Sequence, residues 1–276
     1  MVALVAALCL GGAGVARAQD AGEAAFDYTF QRDAEGWTVG FADLPVDHDQ
    51  STFDLLSGYR ALPEGLDGGG IYVQGHNRSD DLCMFLKRQV GGLRPNTRYE
   101  VTVSLDLATD VPPGRVGIGG SPGESVFVKA GASAVEPITI EDSNGYLRMN
   151  IDKGNQSRGG ADMMVLGHVA HPDAAGGTYR IKTLGNEGRA FSAETDAEGQ
   201  LWLIVGTDSG FEGLSTFYYA RITYELAALA LPGTGSGLTP QTPGDQRQVW
   251  QAGVGVAAVL ALTGLAFAAS RRRPLH

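Results

Sequence analysis

Residues 99–107 read YEVTVSLDL, a stretch in which apolar and polar side chains alternate without a break. Successive side chains of a β-strand point to opposite faces, so this pattern predicts a strand with one buried and one solvent-exposed face. The preceding residues 93–97, LRPNT, are typical of a turn that enters such a strand. Residues 99–107 therefore indicate a sheet that packs on a core with one side.

Similar short runs fill most of the chain between residues 25 and 226. Residues 146–152 alternate, whereas 201–205, LWLIV, is apolar throughout, as expected for a central strand covered on both sides. The core face of a final strand is predicted to carry Tyr218, Ala220, Ile222, Tyr224 and Leu226. Shorter strands are predicted at 71–73, 82–86, 126–129, 163–169 and 179–184.

The spacing of these runs predicts the fold class. The 40 glycines fall between short apolar runs, and no soluble segment shows a helical period over three turns. Many short strands joined by tight turns predict an all-β fold, an antiparallel two-sheet β-sandwich. We assign this sandwich to residues 19–226.

The sandwich resembles a known architecture. Residues 26–30, FDYTF, lie near Gly36 and Trp37, residues 93–99 lead into a strand, and the closing strand is rich in Tyr. This arrangement resembles the jelly-roll sandwich of carbohydrate-binding modules and galactose-binding-like domains over residues 25–226. The resemblance implies the fold more than the function, since such sandwiches host many activities.

The two ends of the chain predict export and membrane anchoring. Residues 1–18 are mostly small and apolar and end in an A-x-A pattern, as in a signal peptide. Residues 249–270 are long and apolar enough for a transmembrane helix, which needs about 20 residues. The tail 271–276 begins with three arginines, which predict a cytoplasmic C-terminus and a sandwich on the extracellular side.

A Pro/Gly-rich linker, residues 227–248, precedes the apolar segment. It contains a pentapeptide formed by Leu231, Pro232, Gly233, Thr234 and Gly235. Together with the apolar segment and the arginines, it resembles the sorting signal of LPXTG surface proteins, which implies cleavage by a sortase after Thr234 and attachment to the cell wall. The alternative is a linker that happens to contain the motif, because thirteen residues separate Gly235 from residue 249.

Charge and cysteine content narrow the range of partners. The net charge is -10, which argues against nucleic acid as a ligand. Cys9 lies in the predicted signal peptide, so Cys83 remains alone, and its apolar neighbours predict a small core residue.

Two loops are candidate binding segments. The first, around residues 77–81, contributes Asn77, Asp80 and Asp81, and the second, around residues 208–213, contributes Asp208, Phe211 and Glu212. A sugar site needs an aromatic platform beside amides and acids, and Trp37, Tyr72 and Phe211 are the candidates for it. The jelly-roll resemblance also implies a structural calcium ion, since calcium prefers oxygen ligands. No other cofactor is expected.

Catalytic motifs lack the context that they need. Residues 119–123, GGSPG, match a nucleophile elbow, but a predicted strand follows where a helix is required, so a turn is the preferred interpretation. We therefore expect a non-enzymatic protein that binds a glycan or another extracellular ligand at the cell surface. The alternatives are a surface glycan hydrolase, which needs two facing carboxylates, and a protein-binding adhesin.

Overall fold

The computed structural model describes residues 22–230. The predicted signal peptide at 1–18, the pentapeptide at 231–235, the apolar segment at 249–270 and the basic tail at 271–276 lie outside these residues. Between residues 22 and 230 the structure contains no helix, and hence none that could cross a membrane.

Residues 22–230 form antiparallel strands throughout. The strands are β1 Glu23–Tyr28, β2 Thr38–Ala42, β3 Leu44–Pro45, β4 Leu56–Ala61, β5 Gly69–His76, β6 Leu82–Val90, β7 Arg98–Thr109, β8 Val126–Ser133, β9 Thr139–Glu141, β10 Tyr146–Met149, β11 Met163–His168, β12 Arg180–Gly185, β13 Ser192–Glu194, β14 Leu201–Ser209 and β15 Leu214–Ala228. The all-β prediction is confirmed for this part of the chain.

The strands form two main sheets. The first, which we call the large sheet, has the order β12-β7-β15-β5-β4, with β1 added beside β15 and β13 beside β7. The second, the five-stranded sheet, has the order β11-β8-β14-β6-β2. All pairings are antiparallel, as the sequence predicts for a sandwich.

The main core lies between these two sheets. From β7 it receives Val101, Val103, Leu105 and Leu107, which are all at most 2% exposed. Leu203 and Val205 on β14 close it from the five-stranded sheet. Full burial of one such side chain stabilises the fold by about 1.5–3 kcal/mol. The alternation in residues 99–107 thus marks a strand that packs by one face, as predicted.

A third, smaller sheet covers the outer face of the five-stranded sheet. It has the order β3-β10-β9, and we call it the cover sheet. A second apolar cluster forms beneath it from Ala42, Cys83, Phe85, Met149, Ile151, Met163 and Ile204. Because β14 is covered on both faces, residues 201–205 are apolar without alternation, which confirms that prediction. The cover sheet is an addition that a two-sheet sandwich does not include.

The predicted core face of the final strand is wrong over its first half. A β-bulge shifts the register of β15 against β7 between Tyr219 and Arg221. Phe217 and Tyr219 are buried in the core, whereas Tyr218 lies on the outer face of the large sheet. After the bulge, Ile222, Tyr224 and Leu226 point inward as predicted. A bulge inserts one residue and so reverses the alternation that follows it.

Candidate functional site

Three tyrosines from different strands meet on the outer face of the large sheet. Tyr218 on β15 is the register partner of Tyr72 on β5, and their ring centroids are 5.1 Å apart in an edge-to-face arrangement. Tyr179, which directly precedes β12, packs edge-to-face on Tyr218 at 5.5 Å. We call these three residues the tyrosine cluster. Tyr179 and Tyr218 remain partly exposed, whereas Tyr72 is buried beneath its neighbours.

A glycine on the neighbouring edge strand leaves space beside the tyrosine cluster. Gly58 on β4 pairs with Tyr72, whereas Ala108 on β7, which pairs with Tyr218, is fully buried. Nothing lies within 4 Å of the position that a Cβ atom of Gly58 would take. The exposed side chain of Leu56 stands on the same face as Gly58. The face is therefore open to solvent beside the rings.

Polar groups hold the cluster and flank it. The guanidinium of Arg60 lies 3.7 Å above the ring of Tyr72. The Tyr72 hydroxyl donates to Gln74 Oε1, and Gln74 Nε2 donates to the carbonyl of Asp54. Burial raises the pKa of Tyr179, and the nearby carboxylate of Asp110 raises it further. The Tyr179 hydroxyl is thus neutral at physiological pH and can donate a hydrogen bond.

A polar row continues along the same face beyond the bulge. Arg221 donates from Nε and Nη2 to the two carboxylate oxygens of Asp27, at 2.9 Å and 2.8 Å. Thr183 donates to Asp106 Oδ1 at 2.6 Å. These residues also line a groove of about 1410 Å³ along β1. This volume exceeds the range of about 300–1,000 Å³ that is usual for small-molecule pockets, so the groove could hold an extended ligand.

The three predicted platform aromatics lie in different places. Trp37 is 4% exposed and packs edge-to-face on Tyr28 inside the core, so it offers no surface to a ligand. Phe211 packs against the main core while remaining partly exposed. Tyr72 alone belongs to the outer face of the large sheet. The sequence prediction thus found one member of the tyrosine cluster and missed Tyr179, Tyr218 and Arg60.

The two predicted binding loops meet, but largely through buried contacts. Asn77 Nδ2 donates to the carbonyls of Ser209 and Phe211 at 2.9 Å and 3.1 Å, and Asn77 itself is 1% exposed. The backbone N–H of Asn77 also donates to the carbonyl of Gly213. Asn77 therefore ties the loops together. Asp80 is exposed beside them, and Glu212 is partly exposed.

Asp208 and Asp81 belong to a group of charges on the outer face of the five-stranded sheet, in contact with residues that follow β10. Lys129 Nζ lies 2.6 Å from Asp208 Oδ2, and both side chains are almost fully buried. Lys153 Nζ lies 2.8 Å from the same oxygen and 2.9 Å from Asp43 Oδ2. We call Asp43, Asp81, Lys129, Lys153 and Asp208 the buried ionic cluster. Apart from Asp81, which is part-buried, its side chains are at most 8% exposed.

Two carboxylates of this cluster and the neighbouring thiol of Cys83 form a group of three potential metal ligands. The ligand atoms of Asp43, Cys83 and Asp208 lie within 4.8 Å of one another. The ammonium group of Lys153, however, already bridges the two carboxylates. A thiol is also a soft ligand, whereas calcium takes oxygen ligands. These three residues therefore do not fit the calcium ion implied by the jelly-roll resemblance.

Comparisons with known proteins give only distant structural matches. No protein-family model matches the chain, and no curated protein does. The enzymatically active domain of tailspike protein 4 of bacteriophage CBA120 aligns with 73% of this chain at 8% identity and a TM-score of 0.31. A carbohydrate-binding module of the β-sandwich superfamily aligns with 68% at 11% identity and 0.34. TmCBM61, solved with β-1,4-galactotriose, aligns with 69% at 8% identity and 0.31.

The matches cover different shares of the known structures. The chain spans 20% of the length of the tailspike's enzymatically active domain, 56% of the superfamily module's and 89% of TmCBM61's. Several of the matching structures are carbohydrate-binding β-sandwiches. Similarity at this level assigns neither a family nor a ligand to the chain.

Proposed function

We propose that the sandwich binds an uncharged oligosaccharide on the outer face of the large sheet, at the tyrosine cluster. The observation that carries the proposal is the edge-to-face arrangement of Tyr72, Tyr218 and Tyr179 on a face that is open to solvent. Tyrosine combines an apolar ring with a polar hydroxyl, and it loses little side-chain entropy on binding. Those properties suit a sugar ring, which offers apolar C–H groups on its faces and hydroxyls at its edge.

The setting of the cluster supports a binding role. The rings come from strands and a strand terminus, which hold side chains more rigidly than loops do. Arg60, fixed over Tyr72, adds hydrogen-bond donors at the edge of the cluster. The net charge of -10 disfavours polyanionic glycans at long range, so an uncharged chain of sugars is the ligand class we infer.

We further propose that the sandwich is displayed at the cell surface. The sequence supports this with the signal peptide predicted at 1–18, the apolar segment at 249–270 and the basic tail. Attachment to the cell wall by a sortase at the pentapeptide 231–235 is the finer proposal. We propose as well that the sandwich has jelly-roll topology and that its role is not enzymatic.

A glycan array tests the binding proposal. The purified full-length chain is applied with calcium and with a chelator, next to variants carrying Tyr218→Ala or Tyr146→Ala. We expect retention of neutral oligosaccharides, loss of the signal with Tyr218→Ala and no loss with Tyr146→Ala, because Tyr146 lies on the cover sheet. If no glycan is retained, or if Tyr218→Ala leaves every signal unchanged, the proposal is wrong.

A hydrolase would give a different result in the same experiment. Products released from a retained oligosaccharide, detected by mass spectrometry, would establish the enzyme instead of the binding protein. Retention of extracellular proteins, with no glycan bound, would support the adhesin.

A further inference from the structure

The buried ionic cluster contains a lysine and an aspartate in contact on neighbouring strands. Lys129 on β8 pairs with Gly206 on β14, and Asp208 stands two residues further along β14 on the same face. Gly206 adds no side chain between them. Because residues 153–158 contact both side chains on the outer face of the five-stranded sheet, Lys129 is 1% and Asp208 0% exposed.

The amine and the carboxyl group are close enough to react. Lys129 Nζ lies 2.6 Å from Asp208 Oδ2. The carboxyl carbon, Cγ, is one bond from that oxygen, so the distance from Nζ to Cγ exceeds the distance to Oδ2 by at most one bond length. Reactants held in such contact gain a large advantage over the same groups in solution. The Nζ atom is further fixed by the carbonyls of Lys153 and Arg158, at 2.9 Å and 3.0 Å.

The two oxygens of Asp208 have different surroundings. Oδ2 accepts hydrogen bonds from Lys129, from Lys153 Nζ at 2.8 Å and from the backbone amide of Gln156 at 2.9 Å. Oδ1 is buried and accepts no hydrogen bond within residues 22–230. Asp81 Oδ1 is likewise buried without a partner. One proton held between Asp81 and Asp208 would satisfy both orphaned oxygens.

Asp81 is suited to hold that proton. Burial, followed by the negative charges of Asp208 and Asp43, raises the pKa of Asp81 to about 8. The neutral carboxylic acid is therefore the main form of Asp81 at physiological pH. A buried acid next to Asp208 can pass protons during a reaction at that carboxyl group.

The charges of the cluster favour loss of one ion pair. Lys129 and Asp208 contribute one positive and one negative charge, and Lys153 keeps Asp43 as its partner at 2.9 Å. Ions removed from water pay a large desolvation penalty. An amide between Lys129 and Asp208 would remove two buried charges and leave no ion without a partner.

We propose that Lys129 and Asp208 form an intramolecular amide bond without an added enzyme or cofactor. The nitrogen of Lys129 forms a bond to Cγ of Asp208, and the bond from Cγ to Oδ1 breaks. The ammonium group loses two protons, which leave with Oδ1 as one water molecule, and it keeps the third as the amide N–H. Asp81 relays a proton from the nitrogen to Oδ1 and ends protonated, as it began.

The product fits the contacts already present. Oδ2 becomes the amide oxygen and still accepts from Lys153 Nζ and the Gln156 amide. The remaining N–H can donate to the carbonyl of Lys153 or Arg158. The bond would join two adjacent strands across 79 positions of sequence, and it would constrain the unfolded chain as a disulfide does.

Mass spectrometry of the purified full-length chain tests the proposal. We expect the intact protein to be lighter by one water molecule than its sequence, after allowance for any removal of the N-terminus. Proteolysis should yield one branched peptide that contains both Lys129 and Asp208. An intact mass equal to that of the unmodified sequence overturns the proposal. Loss of water within a single unbranched peptide, or a branched peptide joined through Lys153, overturns it as well.

An exposed lysine–carboxylate pair serves as the internal control. Lys87 Nζ lies 2.7 Å from Glu136 Oε1, as close as the buried pair, but Glu136 is 51% exposed. We expect no linkage there, because water solvates the Glu136 carboxylate, although Lys87 itself is 16% exposed. The variant Asp81→Asn retains the size of the side chain but cannot relay a proton. We expect it to have the full mass, and a water deficit equal to that of the wild type in this variant would overturn the role of Asp81.

Discussion

Tyr218 faces Tyr72 across the pairing of β15 with β5, with their ring centroids 5.1 Å apart. This contact exists on the outer face because the bulge in β15 allows both Tyr218 and Arg221 to point away from the core. The bulge therefore connects the aromatic and the polar halves of the candidate binding face.

The buried ionic cluster should be far more sensitive to mutation than a surface ion pair. We expect Lys153→Met to lower the free energy of unfolding by about 3–5 kcal/mol, because it removes the buried ammonium group that pairs with Asp43 at 2.9 Å and donates to Asp208 Oδ2 at 2.8 Å. The measurement is urea denaturation. The matched variant Lys87→Met, which breaks the exposed pair with Glu136, should cost about 1 kcal/mol or less. Equal losses in the two variants would contradict the assigned role of the cluster.

The hydroxyl of Tyr224 should stabilise the packing of the two sheets. It is fully buried and shares its single proton between the carbonyls of Ile204 and Gly131 on the opposite sheet, which lie 2.7 Å and 3.0 Å from the hydroxyl oxygen. We expect Tyr224→Phe to cost about 1–3 kcal/mol in thermal or urea unfolding. Tyr59→Phe, at an exposed position of the edge strand β4, should change stability by less than about 0.5 kcal/mol. If Tyr224→Phe is as stable as the wild type, the hydrogen bond of this hydroxyl does not contribute to stability.

His168 should make the fold less stable in mild acid. Burial, and then the charge of Lys182, lower the pKa of His168 below the ordinary histidine value of 6.5 in the folded state, while the charge of Glu124 opposes this shift. Below pH 6.5, His168 therefore takes up a proton in the unfolded chain more readily than in the folded chain, so the free energy of unfolding falls as the pH drops. The stabilising contribution of the neutral histidine is fully present above pH 6.5.

The variant His168→Gln isolates this effect. We expect the melting temperature of the wild type to fall relative to the variant between pH 6.5 and the lower folded pKa. The wild type and the variant must be compared at each pH, because the raised pKa of Asp81 makes the fold more stable as the pH falls through the same range. A constant difference across the range would contradict the assignment to His168.

The proposed membrane anchor predicts where a shortened protein is found. Deletion of residues 249–276 removes the apolar segment and the arginines, so we expect the sandwich to appear in the culture medium. Immunoblots of cells and medium measure this. A truncated protein that stays with the cells would contradict the anchor.

Thr234→Ala then distinguishes the two anchoring modes. If a sortase cleaves after Thr234, the fraction bound to the cell wall should disappear while the membrane fraction increases. An unchanged wall fraction would leave the linker interpretation of the pentapeptide.

Local patterns were sufficient to predict most of the sandwich. Alternation in residues 99–107 and the continuous apolar run at 201–205 reflect burial on one face and on both faces, and each is read from neighbours in sequence. Cys83 was predicted to be a core residue for the same reason, and it is 2% exposed.

The candidate sites depend on contacts that local patterns do not contain. The bulge at Ala220 is a register shift against β7, and a single inserted residue moved Tyr218 from the predicted core face to the surface. Lys129 and Asp208 are 79 residues apart, and only the pairing of β8 with β14 brings them together. Trp37 was predicted to lie at the surface as part of a sugar-binding platform, but this aromatic after a turn packs into the core.

The most direct measurement of the binding proposal is calorimetric titration of the full-length protein with the neutral oligosaccharide retained on the array. Loss of one central tyrosine at a binding site typically costs about 2 kcal/mol or more, which is more than a tenfold change in Kd. We therefore expect Tyr218→Ala to weaken binding at least tenfold while Tyr146→Ala binds as the wild type does. Equal affinities of the wild type and Tyr218→Ala would contradict a binding site at the tyrosine cluster.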